Sequence, residues 1–285
     1  KEKLIEPNVK ALRMGADYVA AHFEHPLPMR VERRDLLGDS IMMSGNTACA
    51  LGAIYAGATV AAWYPITPST SVVDAFSKYA ERLRIDKETG KKNFAIVQAE
   101  DELAAIGMVI GAMWNGARAF TATSGPGVSL MNEFLGLAYF AEIPTVLIDV
   151  QRTGPSTGMP TRTQQSDILE CAYASHGDTK HVLLFPASPQ ECFEMTADAF
   201  DLAEQLQTPV ILMTDLDLGM NDHVSPPLKW DDGRVCNRGR VYDRAALEQM
   251  VERYGRYLDP ENDGIPYRTI PAAHPTKGAF VTRGS

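Results

Sequence analysis

The chain has 285 residues, of which 45% are hydrophobic and 22% charged, a composition typical of globular proteins that can bury one large core. No apolar run reaches the roughly 20 residues that a membrane-spanning helix needs, and we find no secretion-signal pattern. The formal net charge of −9 argues against nucleic acid or a membrane surface as a partner, so we expect a cytoplasmic protein.

The chain begins with a segment that differs from the rest. Residues 8–23 have apolar positions at helical spacing, and the following stretch carries two prolines and mixed charge. We therefore predict that residues 1–27 are the C-terminal helix of an upstream domain and that residues 28–39 are a linker.

From residue 40 to residue 230, short apolar runs alternate with helical stretches. This alternation predicts an α/β domain with an open parallel sheet and helices on both faces. The predicted strands are 59–63, 93–98, 117–123, 145–150, 181–185 and 210–213, and the predicted helices are 46–57, 70–84, 101–115, 128–141, 164–174 and 188–206.

The remaining residues, 231–285, are rich in proline, glycine and charge. They contain one helical stretch at residues 244–256. We expect this segment to be a connection into a further domain.

The four cysteines are widely spaced, and none forms a C-x-x-C pair. We therefore predict buried thiols and neither a metal site nor an iron–sulfur cluster on this chain. These cysteines are Cys49, Cys171, Cys192 and Cys236.

In an open parallel sheet, ligands bind outside the carboxyl ends of the strands, so the loops there are candidate sites. The first such loop is Y-P-I-T-P-S-T at residues 64–70, in which two prolines stiffen a turn that bears hydroxyl groups. Thr67 is a candidate for ligand binding. The alternative is a structural loop in which Ser69 or Thr70 caps the next helix.

A second strand leads into three acidic residues, Glu100, Asp101 and Glu102. Acidic residues in a first helical turn interact favourably with the helix dipole, so capping explains Glu100 and Asp101. The segment 103–114 that follows Glu102 is apolar nearly all round, which predicts a buried helix. Its first turn would carry the Glu102 carboxylate into a partly desolvated site, where a carboxylate needs a dedicated partner.

Two more loops follow strands. The T-S-G-P-G turn at residues 123–127 has the form of a phosphate-binding turn, although its glycines are equally explained by tight packing. Arg152 comes directly after a buried strand and opens a loop rich in hydroxyl groups and glycine. An arginine there suits the bidentate binding of a carboxylate, and a structural salt bridge is the alternative.

These segments together resemble a known family. Their order is similar to that of the pyrimidine-binding domain of thiamine diphosphate enzymes. In that order, a glutamate opens a small-residue helix, a strand leads into T-S-G-P-G, a further helix follows, and I-P precedes an apolar strand. The Y-P-I-T-P-S-T loop and the R-T-G-P-S-T-G-M-P-T loop resemble the alpha subunits of 2-oxoacid:ferredoxin oxidoreductases, the second loop most of all their 2-oxoglutarate branch. The resemblance covers residues 40–230, and it implies that residues 1–27 end a gamma-type domain.

The resemblance assigns roles in cofactor binding. Glu102 matches the glutamate that hydrogen-bonds the aminopyrimidine of thiamine diphosphate and so promotes removal of the proton at C2. We expect Tyr64 and Ile66 to contact the cofactor as well.

The resemblance also assigns roles in substrate binding. Thr67 matches the threonine near the reacting carbonyl, and Arg152 matches the arginine that binds the 2-oxoacid carboxylate and so orients the carbonyl carbon. Ser156 and Thr157 are candidates for binding the distal carboxylate of 2-oxoglutarate.

The family also needs parts that the sequence lacks. We find no G-D-G…N loop for Mg²⁺ and diphosphate, so a beta subunit is expected to bring that site and a [4Fe–4S] cluster. The implied enzyme is built from αβ units, with a second unit expected, and it uses coenzyme A and ferredoxin to convert 2-oxoglutarate to succinyl-CoA. The alternatives are another 2-oxoacid such as pyruvate, a non-redox thiamine-dependent decarboxylase or synthase, and a non-catalytic scaffold subunit.

Overall fold

The computed structural model describes residues 2–24, 28–252 and 254–277, and it divides the chain into two compact units, Lys1–Gly38 and Asp39–Ser285. The first unit contains helix α1 (Glu2–His22), which begins earlier than the predicted helix at 8–23. Residues 28–38 form neither helix nor strand. The assignment of this unit to an upstream domain and a linker stays a prediction, and residues 25–27 lie outside the described residues.

The second unit is built on a parallel sheet, as predicted. Its strands are β1 (Ile41–Met43), β2 (Val60–Trp63), β3 (Ala95–Gln98), β4 (Ala119–Thr123), β5 (Thr145–Gln151), β6 (Val182–Leu184), β7 (Pro209–Asp215) and β8 (His223–Ser225). Six of them form the parallel sheet in the order β3-β2-β4-β5-β7-β6. The sequence did not predict β1 and β8, which form a separate antiparallel pair.

The predicted helices of the domain are present, with ends shifted by a few residues. The helices of this unit are α2 (Gly45–Tyr55), α3 (Thr70–Leu83), α4 (Glu102–Trp114), α5 (Gly125–Phe140), α6 (Ile168–Tyr173), α7 (Pro189–Leu206), α8 (Leu216–Met220) and α9 (Arg244–Gln249). The prediction of a helix over 244–256 was wrong beyond Gln249, because the chain there turns to pack against a later segment, with the Tyr254 hydroxyl donating to the Tyr267 carbonyl.

Helices cover both faces of the sheet, which confirms the predicted fold class. On one face, α2, α3 and α7 enclose three fully buried phenylalanines. Phe120 of β4 has its ring centroid 5.1 Å from that of Phe76 and 6.4 Å from that of Phe200. On the other face, α4 and α5 pack on the sheet through Ile106 and Met131. Two apolar layers therefore hold the strand ends in fixed positions.

The segment after β8 lies against this core through a buried ion-pair network. Arg118 pairs with Asp201 at 2.6 Å and with Glu204 at 2.7 Å, and Arg268 reaches Glu204 at 2.9 Å. Pairing of this kind offsets the desolvation of the buried charges. The role of residues 231–285 as a connection into a further domain stays a prediction, and residues 253 and 278–285 lie outside the described residues. Within the described part of the chain, no helix has the length and apolar character needed to cross a membrane.

Candidate functional site at the carboxyl edge of the sheet

The loops that the sequence singled out lie at one edge of the sheet, since they follow neighbouring parallel strands. They come after β2, β3, β4 and β5, which are adjacent in the sheet. This edge therefore brings together residues that are far apart in the sequence, namely the loop at 64–70, Glu102, the turn at 123–127 and the loop that begins at Arg152.

Glu102 is the first residue of α4, and its side chain is only 6% exposed. The N-cap of this helix is Asp101, which accepts a hydrogen bond from the backbone N–H of Ala104 at 2.7 Å. This confirms the capping role expected of Asp101, whereas Glu100 is exposed and does not cap the helix. Among the described residues, no side chain or backbone group donates a hydrogen bond to the Glu102 carboxylate. A buried carboxylate in that situation is available to a ligand.

The prediction that the helix following Glu102 is buried all round was wrong. Leu103 and Met108 of α4 are 39% and 43% exposed, and Leu130 of the neighbouring α5 is also exposed. The helix buries one face against the sheet, and no described part of this chain covers the other. An exposed apolar surface beside a buried carboxylate is typical of a surface that another polypeptide covers.

The turn at residues 123–127 is packed tightly between two acidic side chains. A Cβ atom on Gly127 would lie 1.9 Å from Thr123 Oγ1 and 2.9 Å from Glu102 Cγ. A Cβ on Gly125 would lie 2.5 Å from Asp167 Oδ1. These glycines are therefore required by close packing. The acidic side chains of Glu102 and Asp167 lie beside these two glycines and also disfavour a phosphate there, since like charges repel.

The loop after β2 presents Thr67 at the site. Thr67 is exposed, Tyr64 and Ile66 are half-buried beside it, and the Thr67–Pro68 peptide bond is cis. Ser69 occupies the N-cap position of α3 as expected, but its hydroxyl does not cap the helix. It donates instead to the Ile66 carbonyl at 2.9 Å, and the Thr70 hydroxyl donates to the same carbonyl at 3.2 Å. Both hydroxyls thus stabilise the turn itself.

Arg152 connects the two loops that were expected to bind substrate. Its guanidinium group is 6% exposed and donates hydrogen bonds to the carbonyls of Thr67 at 2.7 Å and Thr157 at 2.9 Å. Among the described residues it forms no salt bridge, so the structural alternative does not account for it. Burial lowers the pKa of Arg152, while the nearby negative charges of Asp167 and Glu102 act in the opposite direction.

Ser156 and Thr157 lie in the exposed part of the same loop. Ser156 has a left-handed backbone conformation, with φ of 58°, and lines a cavity of about 370 Å³ together with Arg152. Thr157 contributes its carbonyl to Arg152, as described above. The structure therefore brings Ser156 close to the predicted carboxylate-binding arginine and leaves the Thr157 side chain outside the cavity lining.

Sequence reasoning missed two acidic residues at this site. Asp149 lies in β5 and is fully buried, with the Cys171 thiol donating to its carboxyl group at 3.6 Å. Asp167 is 7% exposed and lines the cavity beside Arg152. Burial raises the pKa of each carboxyl group, most strongly that of Asp149. A lone acidic residue inside the otherwise apolar strand T-V-L-I-D-V was the available signal for Asp149.

Comparisons with known proteins agree with this architecture. Residues 51–238 match the family model described as pyruvate flavodoxin/ferredoxin oxidoreductase, thiamine diphosphate-binding. The 2-oxoglutarate synthase subunit KorA of Methanothermobacter thermautotrophicus is 42% identical over 229 residues, which are 80% of this chain and 56% of the relative. The same subunit of Methanocaldococcus jannaschii is 47% identical over 203 residues, which are 71% of this chain and 52% of that protein.

A solved structure is similar over nearly the whole chain. It is the 2-oxoglutarate:ferredoxin oxidoreductase from Magnetococcus marinus, with 2-oxoglutarate, coenzyme A and succinyl-CoA bound, and it superposes with a TM-score of 0.79 at 34% identity over 99% of this chain and 46% of that one. The chain spans about half the length of the curated relatives that it matches. The chain belongs to the thiamine diphosphate-binding family of pyruvate flavodoxin/ferredoxin oxidoreductases.

Proposed function

We propose that this chain is part of the alpha subunit of a thiamine diphosphate-dependent 2-oxoglutarate:ferredoxin oxidoreductase. The reaction consumes 2-oxoglutarate, coenzyme A and oxidised ferredoxin, and it yields succinyl-CoA, CO2 and reduced ferredoxin, with the reverse direction also accessible. One observation carries the proposal: the buried Glu102 carboxylate lacks a described hydrogen-bond partner and lies at the same sheet edge as Arg152.

The residues at this edge fit the pyrimidine half of the cofactor. Glu102 offers a buried carboxyl group for the ring, and Tyr64 and Ile66 line the adjacent loop, half-buried. Bound thiamine diphosphate supplies the nucleophilic carbon that attacks the oxo group. Glu102 holds the proton that the aminopyrimidine needs for its activation, and the low exposure of this carboxyl group strengthens the hydrogen bond.

Substrate binding is assigned to the loops that Arg152 connects. Two of its donors are engaged by the Thr67 and Thr157 carbonyls, which fixes the plane of the guanidinium group. Its other N–H groups then bind the carboxylate next to the oxo group, and Thr67 lies near the reacting carbonyl. We assign Ser156 and Thr157 to the distal carboxylate.

The rest of the enzyme is assigned to other polypeptides. A beta subunit brings Mg²⁺, the diphosphate site and the [4Fe–4S] cluster, and it covers the exposed apolar surface of Leu103, Met108 and Leu130 beside Glu102. Electrons pass to ferredoxin, and a second αβ unit completes the assembly. Cytoplasmic localisation, the gamma-type identity of residues 1–27 and the connecting role of residues 231–285 belong to the same proposal.

The purified complex that contains this chain tests the proposal by reduction of ferredoxin or a viologen dye. Reduction is expected with 2-oxoglutarate and coenzyme A, at a higher kcat/KM than with pyruvate or branched 2-oxoacids. The Glu102→Ala complex is expected to assemble without turning over. Turnover of a 2-oxoacid without dye reduction would favour a non-redox decarboxylase or synthase, and an unchanged rate in Glu102→Ala would favour a scaffold role.

A further inference from the structure

The cavity beside Arg152 contains polar atoms that the chain itself does not satisfy. Arg152 Nε and Asp167 Oδ2 have no hydrogen-bond partner among the described residues. Both side chains are more than nine-tenths buried, and both line this cavity of about 370 Å³. A buried donor without a partner is destabilising, so Arg152 Nε indicates an acceptor on a ligand, whereas the Asp167 Oδ2 acceptor needs a proton or a donor.

Asp167 is held in place by neighbouring groups. Its backbone N–H donates to Gln151 Oε1 at 3.2 Å, and the Ser166 hydroxyl donates to its Oδ1 at 3.3 Å. The absence of a side chain at Gly125 leaves the room that Oδ1 occupies. The carboxyl group of Asp167 is therefore fixed at the wall of the cavity.

Behind Asp167 lies a second carboxyl group, that of Asp149. It is fully buried, and its Oδ1 has no partner among the described residues. The two carboxyl groups interact directly, and burial together with this proximity raises the pKa of Asp149. Two adjacent buried carboxyl groups are not both charged, because repulsion and desolvation favour one shared proton. A shared proton would also satisfy their unpartnered oxygens.

The other titratable groups near this pair are those of Glu170 and Cys171 in α6 and of Arg152, which follows β5. Glu102, at the start of α4, acts on Arg152. Glu170 accepts a hydrogen bond from Ser129 at 2.6 Å and lines the same cavity. One arginine therefore faces several acidic groups, and an incoming carboxylate would be repelled unless one of them is neutral.

We propose that the carboxylate of the 2-oxoacid binds at Arg152 together with one proton, which Asp167 and Asp149 hold between them. Asp167 in its protonated form donates to the carboxylate or to Asp149, and the proton comes from solvent. Asp149 acts through Asp167 and is a positioning residue. The inference rests on the proposed function, because it concerns the same 2-oxoacid site.

The sign of the pH dependence follows from the raised pKa of the two carboxyl groups. At pH values below the pKa of the pair, the proton is already present and the affinity for the carboxylate is highest. As the pH rises through that pKa, binding must take up a proton, and the affinity falls about tenfold per pH unit.

Calorimetric titration of the purified complex with 2-hydroxyglutarate, an unreactive analogue with the same carboxylates, tests the proposal. Titrations in two buffers of different ionisation enthalpy give the number of protons taken up. The parent complex is expected to take up a proton at alkaline pH, and the KM for 2-oxoglutarate is expected to rise over the same range. Asp167→Asn is expected to lose both effects. Asp149→Asn is expected to move the fall in affinity to lower pH.

Glu170→Gln provides the matched control, because it removes a negative charge from the same cavity but leaves the acid pair intact. It is expected to keep the proton uptake. If the variant at the fully buried Asp149 does not fold, Asp167→Asn alone still tests the inference, because Asp167 lies on the cavity wall. Binding without proton uptake in the parent, or an unchanged pH slope of KM in Asp167→Asn, would overturn the inference. Failure of the proposed function is distinguishable, since the complex would then show no 2-oxoglutarate-dependent dye reduction at any pH.

Discussion

Replacing Arg152 with lysine tests the binding of the substrate carboxylate while preserving the charge. The arginine donates to the Thr67 carbonyl at 2.7 Å and to the Thr157 carbonyl at 2.9 Å. Its planar group has further N–H donors for a carboxylate. A lysine ammonium is a point charge, so it does not hold both carbonyls and also bind a carboxylate in a bidentate manner.

The size of the effect follows from the hydrogen bonds lost. A hydrogen bond to a charged group contributes about 1.5–3 kcal/mol. If Arg152→Lys loses one such bond to the substrate, kcat/KM for the 2-oxoacid falls about 10- to 150-fold, since each 1.4 kcal/mol is roughly a factor of ten. Most of the change is expected in KM, because the same carboxylate contact is made before and during the reaction.

The assay is steady-state dye reduction by the purified complex at varied 2-oxoacid concentration, with thiamine diphosphate and coenzyme A saturating. Arg84→Lys is the control, because the half-buried Arg84 also donates to a backbone carbonyl, that of Ile54, at the end of α3 rather than at the site. It is expected to leave kcat/KM within about threefold of the parent. That change is smaller than the roughly tenfold loss that removal of one charged hydrogen bond, about 1.5 kcal/mol, would cause. An unchanged KM in Arg152→Lys would refute the role of Arg152 in carboxylate binding.

Two further predictions concern stability and packing. Gly127→Ala places a methyl group against Thr123 Oγ1 and Glu102 Cγ. We therefore expect the free energy of unfolding to fall by about 1–3 kcal/mol, seen as a lower Tm, and thiamine diphosphate binding measured by calorimetry to weaken. Unchanged Tm and affinity would contradict the tight packing of this turn. Arg118→Met leaves the buried Glu204 without its closest cation, so we expect a loss of about 3–5 kcal/mol in urea unfolding. A loss below about 1 kcal/mol would mean that Arg268, 2.9 Å from Glu204, compensates its charge without Arg118.

The sheet and its helices were predictable because their apolar runs are long enough to show a period. The strands β4, β5 and β7 are almost continuously buried, as expected for the centre of a parallel sheet. The pair β1 and β8 was missed because each strand has three residues and its partner is far away in the sequence. Such pairing depends on tertiary contact, which local patterns do not contain.

The site was predictable in part. The position of Glu102 before an apolar helix indicated a buried carboxylate, and the structure has it 6% exposed. The same pattern wrongly predicted burial of Leu103 and Met108, because periodicity does not distinguish a face covered by this chain from one left for another polypeptide. The hydroxyl of Ser69 was misassigned as a cap because the turn geometry brings the Ile66 carbonyl within its reach.

The central claim is that Glu102 activates the cofactor, and the exchange rate of the C2 proton of bound thiamine diphosphate tests it most directly. This rate can be measured by NMR after rapid quenching of the complex in deuterated buffer. We expect Glu102→Gln to slow the exchange about 10²- to 10⁴-fold, the usual contribution of a positioned acid–base group. Glu100→Gln, which changes an exposed acid in the same turn, should leave the rate at the parent value. Exchange at the parent rate in Glu102→Gln would contradict the account.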